Sequence, residues 1–294
     1  AKLADILLPD VTNFEQNELT SGGAGNAGFA VAIEKAIEPR FECRPIYEIC
    51  TEIAKRMGVE EEFTEGRTHD EWLEWVVEKA RERNPEFPDY ETFRQMGIYK
   101  VSSTGEPSVA FADFREDPEA NPLSTPSGKI EIFSQALHDL GQTWELPEGD
   151  VLTGIPIYVQ TWEGYGAPIS EKYPLQMIGH HFKARTHSSY ANVEWLRTAT
   201  PQEVWMNPLD AQERGLELGD MVYVYNDRGR IKLPVKVTPR IMPGVVSVPQ
   251  GAWYNPNADG VDEGGCVNTL TKLHPSPLAK ANPQHTNLVQ VEKA

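Results

Sequence analysis

The sequence predicts an α+β protein, with helices in its first half and a closed or nearly closed β-barrel in its second half. Apolar residues recur at helical spacing before residue 150. After it, short apolar runs alternate with turn signals and accompany one short helical signal, a pattern typical of small barrels. We therefore predict two domains, residues 1–150 and 151–294, with Gly149 and Pro156 on either side of the boundary.

The first predicted element is a buried strand. The apolar run from Ala4 to Asp10 is closed by Pro9, which favours a strand that ends there. A polar loop follows from Thr12 to Gly28. Loops at the carboxyl ends of buried strands bind ligands in open α/β sheets, although a plain surface connection explains this loop more simply.

Helical periodicity begins after Pro45. Residues 46–57 place their apolar side chains on one face, and Gly58 follows, which predicts an amphipathic helix that stops at the glycine. A short helix is also predicted for Tyr90–Met96, with Gly97 behind it.

A second amphipathic helix is predicted between these two. Thr68 and Glu71 have the spacing of a capping box, and we expect the helix to run to about Arg83. Its apolar face comprises Trp72, Trp75, Val76 and Ala80. We expect the tryptophans to anchor the core rather than to form a ligand cage.

An irregular, proline-containing segment runs from Lys100 to Pro126. Loops of such length usually wrap another domain or line a site. A turn then leads into a predicted strand, in which Ile130 and Ile132 alternate with Lys129 and Glu131.

The second half contains the predicted barrel strands. They cover Ile157–Thr161, Leu175–Ile178, Met221–Tyr225, Ile231–Val237, Val245–Val248 and Leu288–Val291. Residues 226–229 (Asn-Asp-Arg-Gly) predict a hairpin turn. Asn207 followed by Pro208 predicts a helix start, and Gly215 its stop.

Composition excludes several classes of function. The 294 residues are 39% hydrophobic and 24% charged, as in soluble globular proteins, and no apolar run is long enough to cross a bilayer. Residues 1–150 carry 31 acidic and 14 basic side chains, whereas residues 151–294 carry 13 of each. The acidic half is most simply solvated helix surface, and it would repel nucleic acid and anionic lipid.

The three cysteines, Cys43, Cys50 and Cys266, show no CxxC spacing. They therefore predict neither a zinc site nor an iron–sulfur site in this chain. Their odd number also argues against a disulfide framework.

Polar residues concentrate between Gly179 and Ser189. His180, His181 and His187 lie there together with Lys183 and Arg185, a composition that favours an anionic ligand. An ordinary exposed turn with solvated histidines explains the local sequence equally well. His180 and His181 alternate faces if extended, which disfavours joint metal ligation.

Further polar segments interrupt the predicted barrel. They are Gly251–Pro256 with Trp253 and Tyr254, Gly264–Thr271 with Asn268, and Pro275–Asn287 with Lys280, Asn282, Gln284 and His285. Amide side chains suit a nitrogen-rich heterocycle, and backbone N–H groups of Gly-rich loops suit phosphates. Together these segments predict a nucleotide-like ligand, and the usual hydrolase, zincin and P-loop motifs are absent from the sequence.

A family resemblance rests on motifs spread over the whole chain. They include ADILLP, TPSGKIEI, RTHSSY, NPLDAQERGLELGD, YNDRG, GAWYNP, GGCVNTLT and PSPLAKANPQHTNLV. In this order they resemble the C-terminal part of the molybdopterin oxidoreductases, and most of all the catalytic subunits of anaerobic dimethyl sulfoxide reductases.

The resemblance implies a C-terminal double-psi β-barrel that binds molybdopterin dinucleotide, preceded by a mainly helical remnant of a dinucleotide-binding α/β domain. It implies a cofactor of molybdenum held by two molybdopterin guanine dinucleotides. The residues that match the family's cofactor-binding motifs are His181, Arg185, His187, Ser188, Trp253, Tyr254, Asn268, Gln284 and His285. Asn207 and Asp227 are weaker candidates, because capping and turn formation also explain them.

The resemblance further implies a larger enzyme that reduces S-oxides or N-oxides in anaerobic respiration. Family members carry an N-terminal [4Fe–4S] motif, a molybdenum ligand and a twin-arginine signal for export to the periplasm, and none of these is in the sequence. We expect a fragment that is inactive alone and binds cofactor weakly or not at all. Its expected partners are the remaining N-terminal domains, an iron–sulfur electron-transfer subunit and a membrane anchor subunit.

Two alternatives stay open from the sequence. The same cofactor could serve another oxyanion substrate, such as selenate. In another class of function, the chain could be a free-standing double-psi barrel that acts as a binding module.

Overall fold

The computed structural model describes residues 3–22, 28–102, 105, 109–282 and 284–294. They fall into two compact units, Ala1–Ala112 and Asp113–Ala294. The predicted domain boundary near residue 150 falls within the second unit and stays a prediction. The predicted loops 12–28, 100–126 and 275–287 each include residues outside the described ranges.

The first unit combines helices with a small antiparallel sheet. Its helices are α1 (Ile46–Met57), α2 (Glu60–Thr64), α3 (His69–Arg83) and α4 (Tyr90–Met96). Its strands are β1 (Glu18–Ser21), β2 (Phe29–Ile33) and β3 (Ile98–Lys100), with β2 in the middle. The predictions of α1, α3 and α4 are confirmed, whereas the sheet was not predicted.

Local sequence explains where these helices start and stop. Thr68 Oγ1 accepts a hydrogen bond from Glu71 N at 3.3 Å, and the Glu71 carboxylate accepts one from Thr68 N at 2.7 Å, which completes the predicted capping box. Gly58 ends α1 with φ 76°, a conformation that glycine adopts without steric cost.

The predicted apolar face of α3 is wrong in detail. The structure buries Leu73 and Val77, whereas Trp75 is 40% exposed. Trp72 packs edge-on against Trp75, and its Nε1 donates to the Tyr47 hydroxyl at 3.1 Å. An indole N–H at the surface can find a hydrogen-bond partner more easily than one in the core. The aliphatic side chains of Leu73 and Val77 therefore take the core positions instead.

The second unit is built around a closed barrel. Its strands are β4 (Leu175–His180), β5 (Val204–Met206), β6 (Met221–Asn226), β7 (Gly229–Val237), β8 (Val245–Pro249) and β9 (Asn287–Lys293). They close in the order β4-β8-β5-β7-β6-β9. The pairs β4–β8 and β5–β7 are parallel, and the other pairs are antiparallel.

Alternation along β6 and β7 fills the barrel. Val222 faces Leu233 and Val224 faces Ile231 in the hairpin register, and all four side chains are buried in the main core. Asn226 Oδ1 accepts from Arg228 N at 3.0 Å and so closes the predicted turn. Along β7, Ile231, Leu233 and Val235 are buried and alternate with partly exposed residues.

The remaining described α-helices are α5 (Ala112–Glu116), α6 (Gln135–Thr143), α7 (Glu194–Ala199) and α8 (Pro208–Glu213), and two short 3₁₀ helices span Pro168–Glu171 and Val267–Thr269. The predicted α8 is confirmed: Asn207 Oδ1 accepts from Leu209 N at 2.9 Å. Helix α7 corrects the prediction of a single helix in the second half.

Three predicted strands are wrong. Residues 4–9, 129–133 and 157–161 are irregular, and their apolar side chains are largely exposed, with Ile6 at 79%. An apolar run forms a strand only where another strand pairs with it, and the described residues provide none at these places.

The predicted fold class, α+β with a C-terminal double-psi β-barrel, is confirmed. Among the described residues, no helix has both the length and the apolar character that crossing a membrane requires.

Candidate functional site

Strand direction brings the first two polar loops to one end of the barrel. Because β4 and β8 run parallel, their carboxyl ends coincide, with His180 opposite Pro249. Gln250 N also donates to His180 O at 3.0 Å. The first loop (181–190) and the second loop (250–256) therefore leave the barrel side by side.

Arg185 fastens the first loop to the second. Its Nε and Nη2 donate to Gln250 O at 3.1 and 2.8 Å, and the guanidinium lies 3.9 Å from the centre of the Phe182 ring. Burial lowers the pKa of Arg185 to about 10. Its partners within the described residues are carbonyl and amide oxygens and a ring, none of them anionic.

Gln202, which the sequence did not single out, joins the first loop, the end of β8 and the third loop. Its Oε1 accepts from Arg185 Nη2 at 2.7 Å. Its Nε2 donates to Pro249 O at 2.7 Å and to Gly265 O at 3.1 Å. A glutamine ahead of a short strand carries no local signal, so only the tertiary structure identifies this role.

The second loop packs tightly on the first. Trp253 Nε1 donates to Ser188 O at 2.9 Å. Gly251 has φ 87°, and a Cβ there would lie 1.7 Å from His187 O, so only glycine fits. Trp253 and Tyr254 are 48% and 49% exposed, so each keeps an accessible face.

The third loop (264–271) meets the second at Gly264. A Cβ on Gly264 would lie 2.0 Å from Trp253 O, which again requires glycine. The buried carboxylate of Asp262, also absent from the predicted set, accepts from Asn255 N at 2.7 Å and Gly264 N at 2.9 Å. An Asp two residues ahead of a Gly-Gly pair is a turn signal that could have drawn attention to it. Asn268 is exposed on this loop.

The end of the fourth loop (275–287) returns to β4. His285 Nδ1 accepts from Gly179 N at 3.1 Å, and Gln176 Nε2 donates to His285 O at 2.9 Å. Gln284 Nε2 lies 3.4 Å from His285 Nε2. Hydrogen bonding to Gln176 and Gly179 thus holds His285 against β4, and Gln284 lies next to it.

The histidines at the end of β4 and in the first loop differ in their surroundings. His181 and His187 are exposed, with ring centres 5.7 Å apart. His180 Nδ1 lies 2.7 Å from Ser247 Oγ, and its ring packs against Trp205. In the described part of the chain, no three His, Cys, Asp or Glu side chains are arranged to hold a metal ion.

All nine predicted cofactor-binding residues lie on these four loops, which we call the polar wall. The weaker candidates have structural partners instead. Asn207 caps α8 and donates to Ile241 O, and Asp227 pairs with Lys172. Whether the nine residues contact a cofactor stays a prediction.

Family models match two parts of the chain. Residues 175–288 match the molydopterin dinucleotide binding domain, and residues 1–56 match the molybdopterin oxidoreductase model. The first match covers most of the barrel together with the four loops.

Curated relatives match over the whole chain. It is 55% identical to dimethyl sulfoxide reductase DmsA of Escherichia coli (strain K12) and 53% identical to that of Haemophilus influenzae, in each case over 100% of this chain and 36% of the relative. It is 36% identical to the dimethyl sulfoxide/trimethylamine N-oxide reductase of Cereibacter sphaeroides, over 100% of this chain and 36% of that protein. The chain thus spans about a third of the length of these relatives.

Among solved structures, acetylene hydratase from Pelobacter acetylenicus superposes with a TM-score of 0.70. The match covers 98% of this chain and 38% of that structure, at 21% sequence identity. At this identity the likeness concerns the fold alone.

Proposed function

Because the chain belongs to the molybdopterin oxidoreductases, we propose that its polar wall binds a molybdopterin guanine dinucleotide in an enzyme that reduces S-oxides or N-oxides. One observation carries this proposal. Arg185 is a half-buried cation without an anionic partner among the described residues, and a buried charge is stabilised best when it is paired. A diphosphate supplies the missing anion.

The other residues of the polar wall suit the same group. His181 and His187 are exposed beside Arg185 on the first loop and can donate to phosphate oxygens. Asn268 and Gln284 offer donor and acceptor together, as a guanine or pterin edge requires. Trp253 and Tyr254 keep ring surface exposed, which suits packing against a flat heterocycle.

When bound, the molybdenum cofactor supplies oxygen-atom transfer and two-electron redox chemistry. The residues of this chain would bind and orient it and would balance its phosphate charge. The proposed whole enzyme also includes N-terminal domains with a [4Fe–4S] cluster, an iron–sulfur electron-transfer subunit and a membrane anchor subunit. We place it at the periplasmic or extracytoplasmic membrane face. The names of the relatives, which are dimethyl sulfoxide and N-oxide reductases, support this choice of substrate.

The test uses the complete subunit that contains this chain. We expect purified wild-type subunit to contain molybdenum and to reduce dimethyl sulfoxide and trimethylamine N-oxide with reduced viologen as the electron donor. Arg185→Ala should lower retained molybdenum about tenfold, because charge-assisted hydrogen bonds to the phosphates are lost. Asn268→Ala should also lower it, because the amide donor and acceptor for the heterocycle edge are lost.

Arg240→Ala is the matched control. Arg240 is exposed in the connection between β7 and β8. This connection leads into the amino end of β8, whereas the first two loops leave the barrel at the carboxyl ends of β4 and β8. Arg185→Lys separates the two roles of Arg185, because lysine keeps the charge and loses the fork-shaped hydrogen bonding. Full molybdenum content in Arg185→Ala and Asn268→Ala, or a wild-type subunit without molybdenum, would contradict the proposal.

A further inference from the structure

Asp262 has a side chain that is 0% exposed, at the junction of two loops of the polar wall. Its backbone is fixed to the barrel, because Lys232 N donates to Asp262 O at 3.0 Å and Asp262 N donates to Arg230 O at 2.9 Å. The residue therefore extends the sheet beside β7 and holds its carboxylate in a set position.

The carboxylate accepts hydrogen bonds from both loops. Oδ1 accepts from Asn255 N at 2.7 Å and from Gly264 N at 2.9 Å. Oδ2 accepts from Cys266 N at 2.6 Å and from Thr269 Oγ1 at 3.4 Å. These partners within the described residues are N–H groups and a hydroxyl rather than a cation. Several N–H donors can stabilise a buried carboxylate in place of an opposite charge.

The bonded atoms belong to the segments that carry predicted cofactor contacts. Asn255 follows Trp253 and Tyr254, and Cys266 and Thr269 lie on either side of Asn268. The barrel core is made by other residues, among them Val224, Ile231 and Val246. Loss of this carboxylate should therefore disturb the two loops more than the barrel.

We propose that Asp262 is a positioning residue, whose carboxylate sets the spacing between the Trp253–Tyr254 turn and the Asn268 loop for binding of the cofactor. This inference rests on the proposed function. It assigns to Asp262 no contact with the cofactor itself, and its effect passes through the N–H groups of Asn255, Gly264 and Cys266.

The decisive substitution is Asp262→Asn in the complete subunit. The asparagine side chain keeps one acceptor oxygen, but its NH₂ group replaces the other. The N–H groups that faced the replaced oxygen then meet a second donor, and no hydrogen bond can form between two donors. We expect retained molybdenum, measured by plasma mass spectrometry, to fall about tenfold or more, as is usual when groups that support ligands are removed. The fraction that keeps the metal should show an altered Mo(V) electron paramagnetic resonance spectrum.

Asp259→Asn is the matched control, because Asp259 is exposed at the tip between the same two loops. It should keep wild-type metal content and spectrum. Wild-type metal content and an unchanged Mo(V) spectrum in Asp262→Asn would overturn the proposal.

Amide hydrogen exchange distinguishes a positioning role of Asp262 from a general folding defect. In the metal-free Asp262→Asn subunit, exchange should rise at residues 255, 264 and 266 and stay unchanged in β6 and β7. Loss of protection in β6 and β7 as well would make Asp262 a residue of the fold and overturn the positioning role. A wild-type subunit without molybdenum would contradict the proposed function. The exchange pattern would still test whether Asp262 holds the two loops in place.

Discussion

His180 differs from its two neighbours in the first loop because its ring is partly buried. Contact with Ser247 and Trp205 removes water from the imidazole. Burial lowers the pKa of His180, and the nearby Arg185 cation lowers it further. The folded protein therefore favours a neutral His180, in which one ring nitrogen accepts or donates toward Ser247 according to its tautomer.

This lowered pKa predicts a loss of stability in acid. The unfolded chain takes up the His180 proton at about pH 6.5, before the folded chain does. Stability from the neutral ring is therefore present above about pH 6.5 and declines as the pH falls through the lowered folded pKa. His180→Gln can still bond Ser247 but does not titrate, so it should flatten this part of the profile. The measurement is the urea midpoint between about pH 5 and 7.5.

His138→Gln is the control, because His138 is exposed on α6, and its profile should follow the wild type. Parallel profiles for His180→Gln and wild type would show that His180 does not contribute to the acid dependence.

Single residues of the polar wall could be predicted only where the sequence interrupts an apolar pattern. Arg185, Trp253 and Asn268 interrupt it visibly, and the structure brings their loops together. Gln202 and Asp262 make the contacts that join these loops. Gln202 could not be found beforehand, because its partners are the Arg185 side chain and two backbone carbonyls, all distant in the sequence.

Among the elements, α3 depends on its capping box. Thr68→Ala removes the acceptor for Glu71 N and should lower the free energy of unfolding of the first unit by about 1 kcal/mol. Amide hydrogen exchange of the α3 residues at increasing urea concentration measures the change. Thr68→Ser keeps the hydroxyl and should retain most of the stability, and an equal loss in both variants would refute a capping contribution.

Helices were predicted better than strands for a physical reason. The signals for α1, α3 and α4 are local: a periodic apolar face, a cap and a glycine stop. A strand also needs a partner, so residues 129–133 alternate correctly and yet pair with no strand in the described part of the chain. The converse holds for β1, whose sequence Glu-Leu-Thr-Ser is largely polar and which forms because β2 lies beside it.

At the scale of the whole molecule, charge is divided unequally along the chain. Residues 1–150 hold 31 acidic and 14 basic side chains, whereas residues 151–294 are balanced at 13 each. The polar wall lies entirely in the balanced part. An anionic ligand there meets no net like charge from the barrel half.

The acidic half should respond to salt. The acidic side chains of this half repel one another, and about 0.1 M salt screens this repulsion beyond about 10 Å. We expect added NaCl to slow amide exchange in α1 and α3 while β6 and β7 change little. A neutral solute at matched osmolality is the control. Equal slowing in helices and barrel would point to a general effect of the solute instead.

The last strand of the barrel pairs with both β4 and β6. Until β9 is in place, each of these two strands has an open edge with unsatisfied N–H and C=O groups. During synthesis on the ribosome, β4 emerges long before β9 and must wait with that edge unprotected. Closure of the ring therefore waits for the last strand, Asn287–Lys293.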